Sequence, residues 1–168
     1  MQRLAFYITG AAFLSTCLMA QEQAPRPTFS DYPARHIYTG KPAPPILSKE
    51  QRMFRTMIRM GARKPVEFGG HYTVPRWGCG TSCSEYAIVD SITGRVYGSS
   101  GVSELPYTWE QEHEGQVPER MEFRPNSRLI KINGCPGERD CGFYDYLIVD
   151  GKGLKLLRKQ LLPSEYQY

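Results

Sequence analysis

The chain has 168 residues, of which 40% are hydrophobic, 23% charged and 12% aromatic, and its formal net charge at pH 7 is +4. This composition excludes a collagen-like chain, a highly charged disordered chain and a membrane protein with several spans. Without its first 20 residues the chain is still long enough for one domain with a hydrophobic core, but not for two.

Residues 1–20 have the organisation of a secretory signal peptide. Arg3 provides the positive start, an apolar run follows, and Ala20 is a small residue before a possible cleavage point. The alternatives are a retained membrane anchor, for which the run is short and polar, and a lipoprotein site at Cys17. We expect a periplasmic or secreted protein with no stable membrane span after processing.

Residues 21–47 contain six prolines, and this density predicts an extended segment rather than a helix. Four large apolar or aromatic residues could pin the segment to the domain surface: Phe29, Tyr32, Ile37 and Tyr38. The alternative is a flexible tether. We expect a single β-domain to occupy residues 48–168.

Residues 48–60 predict a helix. Ser48 and Gln51 have the spacing of a capping box, and Gly61 is a typical stop. The expected buried side consists of apolar residues at helical spacing: Met53, Phe54, Met57, Ile58 and Gly61. The arginines of this helix are expected to stay in solvent.

The residues after Pro65 have the pattern of β-strands separated by glycine-containing turns. The connections leave no room for helical crossovers, so the sheet should be antiparallel. We therefore predict an all-β, mainly antiparallel fold. It would consist of two similar β-meander units, blade-like or sandwich, with one N-terminal α-helix.

Two segments of the chain match each other. Residues 86–90 read Tyr-Ala-Ile-Val-Asp and residues 146–150 read Tyr-Leu-Ile-Val-Asp, and in both a cysteine pair precedes and a glycine turn follows. The match indicates a supersecondary unit used twice, within residues 70–98 and 121–160. Chance similarity between two β-hairpins is the alternative.

Four cysteines remain after the signal segment: Cys79, Cys83, Cys135 and Cys141. In an oxidising compartment they predict two disulfides. Because each close pair lies at a hairpin turn, we expect local pairing within each unit. A zinc site is the alternative, but its usual cysteine spacings differ from these. No metal and no cofactor are expected.

Charge is distributed unevenly. Residues 49–64 carry six basic side chains against Glu50, and residues 104–122 carry six acidic side chains against Arg120. The two stretches are expected to be solvated or to face each other. A basic surface for nucleic acid or anionic lipid is the alternative; nucleic acid is not an expected partner.

Residues 99–118 show no clear periodicity and predict a long loop with several aromatic residues. Such residues can anchor a partner or a sugar, or they can cover the edge of the core. The candidate binding residues are His71, Tyr72, Tyr107 and Trp109. No catalytic residue is assigned, because no catalytic motif is present.

Residues 50–97 resemble a family of exported bacterial proteins of uncharacterised activity. The likeness rests on an arginine-bearing helix, the run Gly-Gly-His-Tyr-Thr at residues 69–73, and the run Trp-Gly-Cys-Gly-Thr-Ser-Cys at residues 77–83. The resemblance implies export and carries no catalytic residues.

The sequence is most consistent with an exported binding or interaction module whose partner is a protein or glycan of the cell envelope. One alternative is a periplasmic inhibitor of a cell-wall hydrolase, which would use residues 99–118 to plug an active site. A second is a secreted enzyme with a pocket that gathers His71, Tyr72 and Glu85 or the acidic residues of the loop.

Overall fold

The computed structural model describes residues 25–167, so the expected signal peptide at residues 1–20, with Cys17, lies outside the described residues. The described chain contains eight β-strands, and every pairing between them is antiparallel. The predicted all-β, mainly antiparallel fold is therefore confirmed.

The strands form one sheet in the order β1-β3-β4-β6-β7-β8, with β2 also paired to β3 and β5 to β6. Their bounds are β1 (Tyr72–Thr73), β2 (Arg76–Gly80), β3 (Cys83–Asp90), β4 (Val96–Ser103), β5 (Met121–Phe123), β6 (Leu129–Pro136), β7 (Gly142–Val149) and β8 (Gly153–Leu161). The helices are α1 (Arg55–Gly61) and α2 (Tyr107–Glu112), with short 3-10 turns at Phe29–Asp31, Glu50–Phe54 and Ser164–Tyr166.

The sheet consists of two meanders. Strands β1 to β4 form the first and β5 to β8 the second, and they join where Val102 and Ser103 of β4 pair with the end of β6. The two matching sequence segments occupy the same place in each meander, the strand before the last hairpin turn. The predicted pair of similar units is present.

Side-chain alternation in these two strands builds the core. In β3, Tyr86 and Ile88 point into a cluster that also contains Ile148 of β7, while Ala87 and Val89 point the other way, towards α1. Alternate residues of a strand project to opposite faces, so β3 is buried on both. The main core is shared by both meanders: Phe68, Tyr72, Val74, Tyr86, Ile88, Val102, Ile130, Ile132, Tyr144 and Ile148.

The helix begins as the sequence predicts. Ser48 N–H donates to Gln51 Oε1 at 2.9 Å, and Gln51 N–H donates to Ser48 Oγ at 3.3 Å, which is a reciprocal capping box. The first turn is a 3-10 helix that continues into α1.

The predicted buried side of this helix is wrong for its methionines. Met53 is 81% exposed and Met57 41%, whereas Gln51 and Ile58 are buried and Phe54 is half-buried. A 3-10 turn has three residues per turn, so Gln51 and Phe54 share the inner side and α1 continues from that phase. The methionines are turned to the outside.

Residues 25–47, here called the N-terminal arm, lie along the β-domain. Arm backbone N–H groups donate to distant carbonyls: Ala34 to Asn126 at 2.9 Å and Tyr38 to Gly70 at 2.7 Å. The Arg124 guanidinium lies 4.4 Å from the centre of the Phe29 ring. The arm is thus held by its backbone as much as by its aromatic residues.

One ion pair fastens the start of the arm to the interior. Arg26 Nε donates to Oδ1 of the fully buried Asp145 at 2.8 Å, and Arg26 Nη2 donates to Asn133 at 2.9 Å. Arg158 lies 3.8 Å from the other carboxylate oxygen. A buried carboxylate needs a positively charged partner, and Arg26 of the arm supplies that charge to Asp145.

Both predicted disulfides are present, Cys79–Cys83 and Cys135–Cys141. The first lies at the exposed tip of the β2–β3 hairpin. The second is fully buried in a small cluster with Leu105, Trp109 and Leu162. Within residues 25–167, no helix has the length and apolar character needed to cross a membrane.

Replacing Arg26 with alanine is expected to lower the free energy of unfolding by about 2 to 4 kcal/mol, because the buried Asp145 keeps only the longer contact to Arg158. Arg139 is exposed, and its replacement with alanine should change stability by less than about 0.5 kcal/mol. Urea unfolding measures both. Equal effects would contradict the role given to the Arg26–Asp145 pair.

Removing the two disulfides should have unequal effects. The double variant C79A/C83A is expected to lose about 2 kcal/mol, the contribution of closing a short loop. C135A/C141A should lose about 3 to 4 kcal/mol, because it also leaves a cavity in a buried cluster. Thermal and urea unfolding compare the two, and a larger loss for C79A/C83A would refute this ranking.

Candidate functional site

A cleft of about 670 Å³ lies where the hairpin turns of the two meanders meet the N-terminal arm. Its lining residues are Pro33, Arg35, His36, Gly69, His71, Asp90, Ile92, Thr93, Arg95, Tyr97, Arg128, Asp150 and Gly151. The arm, both meanders and the turn before β1 therefore all contribute to one site.

The repeat explains why two aspartates reach this cleft. In each matching segment, Tyr, Ile and Asp stand at alternate positions and so project to the same face of the strand. Ile88 and Ile148 enter the shared core, and Asp90 and Asp150 follow them at the strand ends. The cleft is thus the polar end of the core.

The turns of the two meanders are tied together directly. One guanidinium nitrogen of Arg95 donates to the Gly151 carbonyl at 2.9 Å, and the Gly151 N–H donates to the Tyr97 hydroxyl at 3.1 Å. These bonds connect the turn after β3 with the turn after β7. They hold together the two turns next to Asp90 and Asp150, both of which line the cleft.

His71 enters the cleft from a tight turn. Phe68 and Tyr72 exchange backbone hydrogen bonds across Gly69, Gly70 and His71. Gly70 has a φ of +87°, and a Cβ there would lie 2.4 Å from the His36 carbonyl oxygen, so a side chain is not accommodated. The turn at the start of the Gly-Gly-His-Tyr-Thr run therefore brings Gly69 and His71 to the cleft lining.

The imidazole stands between the two carboxylates. His71 Nε2 lies 4.0 Å from Asp90 Oδ1 and 3.8 Å from Asp150 Oδ1. The Tyr72 hydroxyl donates to Asp150 Oδ1 at 2.9 Å. Burial, reinforced by this bond, raises the pKa of the Tyr72 hydroxyl far above its usual value, so Tyr72 acts as a donor and not as an ionised group.

The two aspartates differ in what they can offer a ligand. Asp90 is buried and accepts hydrogen bonds from its own turn, from the Ile92 N–H at 2.8 Å and from the Thr93 hydroxyl at 2.7 Å. The Asp150 side chain is 75% exposed and engages only Tyr72 and His71 among the described residues. Asp90 shapes the turn, whereas Asp150 faces the cleft with free acceptor sites.

Three guanidinium groups give the cleft its positive character: Arg35, Arg95 and Arg128. In the part of the chain that the structure describes, the Arg35 and Arg128 side chains make no hydrogen bond or ion pair with protein. Arginine presents a planar fork that matches carboxylate and phosphate groups. The arrangement suits a ligand with an anionic group.

A metal centre is not found in residues 25–167, since no group of three or more His, Cys, Asp or Glu side chains there is placed to hold a metal ion. The arrangement provides hydrogen-bond donors, acceptors and charge for recognising a polar ligand.

The four candidate binding residues fall in two places. His71 lines the cleft, and the buried Tyr72 supports it from below. Trp109 is only 7% exposed and covers the Cys135–Cys141 disulfide, with its ring stacked on His113 at 4.2 Å. Tyr107 projects into solvent on the same helix. The structure therefore does not join the two pairs into one site.

The prediction of a loop at residues 99–118 is wrong for much of its length. Strand β4 continues to Ser103, and α2 spans Tyr107–Glu112. The helix is short and depends on packing, because Trp109 inserts between Leu105, Leu162 and the disulfide. Trp109 covers the core edge, as the alternative interpretation of this segment has it, whereas Tyr107 is exposed.

The acidic residues proposed for an enzyme site lie elsewhere. Glu85 accepts a hydrogen bond from the Trp77 indole at 2.6 Å and is outside the cleft. Glu104, Glu110 and Glu119 line a second cavity of about 540 Å³, where Glu104 forms an ion pair with Arg120. These carboxylates do not converge on His71.

The sequence reasoning missed the two aspartates and the three arginines of the cleft. The aspartates were visible as the last residue of each repeat, and alternation with the preceding tyrosine and isoleucine could have placed them together. Arg35 and Arg128 belong to no sequence motif that could have singled them out. They meet because backbone bonds of Tyr32 and Ala34 align the arm with residues 126–128.

Comparison of the chain with protein-family models, with curated proteins and with solved structures found no match. The resemblance of residues 50–97 to an exported bacterial family therefore stays a prediction. The function has to be argued from the chemistry of the cleft.

Replacing Trp109 with alanine is expected to lower the free energy of unfolding by about 3 to 5 kcal/mol, because it empties the cluster over the buried disulfide. Tyr107→Ala, on the exposed side of the same helix, should change it by less than about 0.5 kcal/mol. Chemical unfolding compares the two variants. A small loss of unfolding free energy in Trp109→Ala would contradict a core role for Trp109 and favour a binding role.

Proposed function

We propose that this protein is an exported binding module that takes an anionic glycan fragment of the cell envelope into the cleft between its two β-meanders. The single observation that carries the proposal is the convergence of His71, Asp150 and three arginines in one cleft built from both repeat units. Export is supported by the two disulfides, which are typical of oxidising compartments.

Size and lining support a small polar ligand. Small-molecule sites span roughly 300 to 1,000 Å³ and combine apolar surface with a few polar groups. The cleft, at about 670 Å³, offers Ile92 and Tyr97 as apolar surface beside its charged groups. A sugar ring is bound by apolar surface and polar groups together, since its faces are apolar and its edges carry hydroxyls.

Charge supports an anionic group on that ligand. The free guanidinium forks of Arg35 and Arg128 match a carboxylate, and the open acceptors of Asp150 match hydroxyl or amide donors. His71 is positioned to donate or to accept, because an imidazole has one nitrogen of each kind when neutral. An acidic sugar carries all the complementary groups.

The alternative of a hydrolase inhibitor rests on a projecting segment at residues 99–118. Trp109 holds that segment against the core, and Tyr107 is the exposed aromatic residue of α2. The geometry therefore favours recognition in the cleft over insertion of this segment into an enzyme.

The enzyme alternative rests on His71 with its neighbouring carboxylates. Glycoside hydrolysis uses two carboxyl groups that act on the substrate as acid and base. Asp90 is occupied by hydrogen bonds from its own turn, so Asp150 is the one carboxylate open to the cleft among residues 25–167. Binding is thus better supported than catalysis.

Binding can be measured by calorimetry with acidic sugars and their neutral counterparts, such as N-acetylmuramic acid against N-acetylglucosamine and galacturonic against galactose oligomers. We expect binding of one or more acidic members and no detectable binding of the neutral ones. Arg35→Gln and Arg128→Gln should each weaken Kd about tenfold or more, through loss of a charged hydrogen bond.

Arg139→Gln is the matched control, because it removes the same charge from an exposed position outside the cleft. Equal weakening in this control, or equal binding of neutral and acidic sugars, would contradict the proposal. Mass spectrometry of the recovered sugar separates binding from turnover. A cleaved product that disappears in His71→Gln would establish the enzyme alternative.

A further inference from the structure

The outer surface of the capped helix has a composition unlike that of an ordinary solvated helix. Three methionines lie there with large exposed fractions, Met53 at 81%, Met60 at 61% and Met57 at 41%. Met57 and Met60 are three residues apart in α1 and therefore lie at neighbouring positions on its surface, and Met53 lies in the 3-10 turn that precedes α1. Methionine is usually buried, so a contiguous exposed row indicates a contact surface.

A basic band runs beside this row. Arg52 lies in the 3-10 turn, Arg59 in α1 and Arg63 two residues after the end of α1, and all three are exposed. With Lys49, Arg55 and Lys64 they make six basic residues, and none of the six forms an ion pair within residues 25–167. The sole acidic neighbour in the segment is Glu50, whose carboxylate accepts a hydrogen bond from Ser48.

We propose that this methionine–arginine face, formed by Met53, Met57, Met60, Arg52, Arg59 and Arg63, docks on an anionic phospholipid bilayer. Flexible thioether side chains enter the boundary of the acyl chains while the guanidinium groups stay at the level of the phosphates. This contact is separate from the cleft and does not depend on the ligand proposed for it.

The inner side of the helix makes such docking possible without unfolding. Ile58 and Ala62 are buried against β-strand residues, and the Phe54 ring stacks on Trp77 at 4.9 Å. The helix is therefore fixed on the sheet, and the methionine–arginine face is already formed before any contact with lipid. Docking then requires little ordering of the chain, which favours binding.

A bilayer fits this face better than nucleic acid. Nucleic-acid contacts rest on phosphates and on base edges or stacked aromatic rings, and the face offers no aromatic side chain. A row of methionines contributes nothing to phosphate binding. It does contribute when the arginines bring it against hydrocarbon, because apolar area is then removed from water.

Co-sedimentation with vesicles tests the proposal. The protein should bind vesicles of phosphatidylcholine mixed with phosphatidylglycerol, and not vesicles of phosphatidylcholine alone. The variant R52Q/R59Q/R63Q should lose at least about tenfold in affinity, since each basic residue adds to the attraction of an anionic surface. M53Q/M57Q/M60Q should weaken binding as well, and should make the remaining binding more sensitive to salt.

The matched control K41Q/K152Q/K155Q removes three positive charges from exposed lysines on other parts of the surface. It should bind anionic vesicles like the unchanged protein, and circular dichroism should show all variants folded. Three results would overturn the proposal: no binding to anionic vesicles, equal losses in the lysine control, or no effect of the methionine changes. Binding to single-stranded DNA without binding to vesicles would also overturn it.

Discussion

The side-chain alternation of two matching strands, β3 and β7, is the constraint on which the rest of the structure depends. It sends Ile88 and Ile148 into one shared core and brings Asp90 and Asp150 to the same end of it. A shift of either strand by one residue would exchange its core face with its outer face and would also remove an aspartate from the cleft. Packing and site geometry are therefore fixed together.

Features set by neighbouring residues could be predicted from the sequence. The capping box of Ser48 and Gln51, the local pairing of the cysteines and the hairpins around the glycine turns each involve a few consecutive residues. The cleft could be predicted only in part, because its groups come from segments far apart in the chain. Only His71 and the supporting Tyr72 had been singled out as candidates.

Two errors of the sequence analysis have the same physical origin. The prediction for residues 48–60 assumed an α-helix throughout. The structure has a 3-10 turn at Glu50–Phe54, and this turn changes which side chains face the sheet. The absence of periodicity at residues 99–118 concealed α2, a helix too short to be stable alone and held by Trp109. In both segments tertiary contacts decided the local structure.

The bond between Arg26 and Asp145 joins residues 119 positions apart, so the start of the arm can be seated only after β7 exists. During synthesis the arm leaves the ribosome early and waits for a strand that is made near the end. Arg35 and His36 belong to the arm and line the cleft. Asp150 and Gly151, which follow β7, line the same cleft, so its lining is complete only after the last hairpin of the second meander has been made.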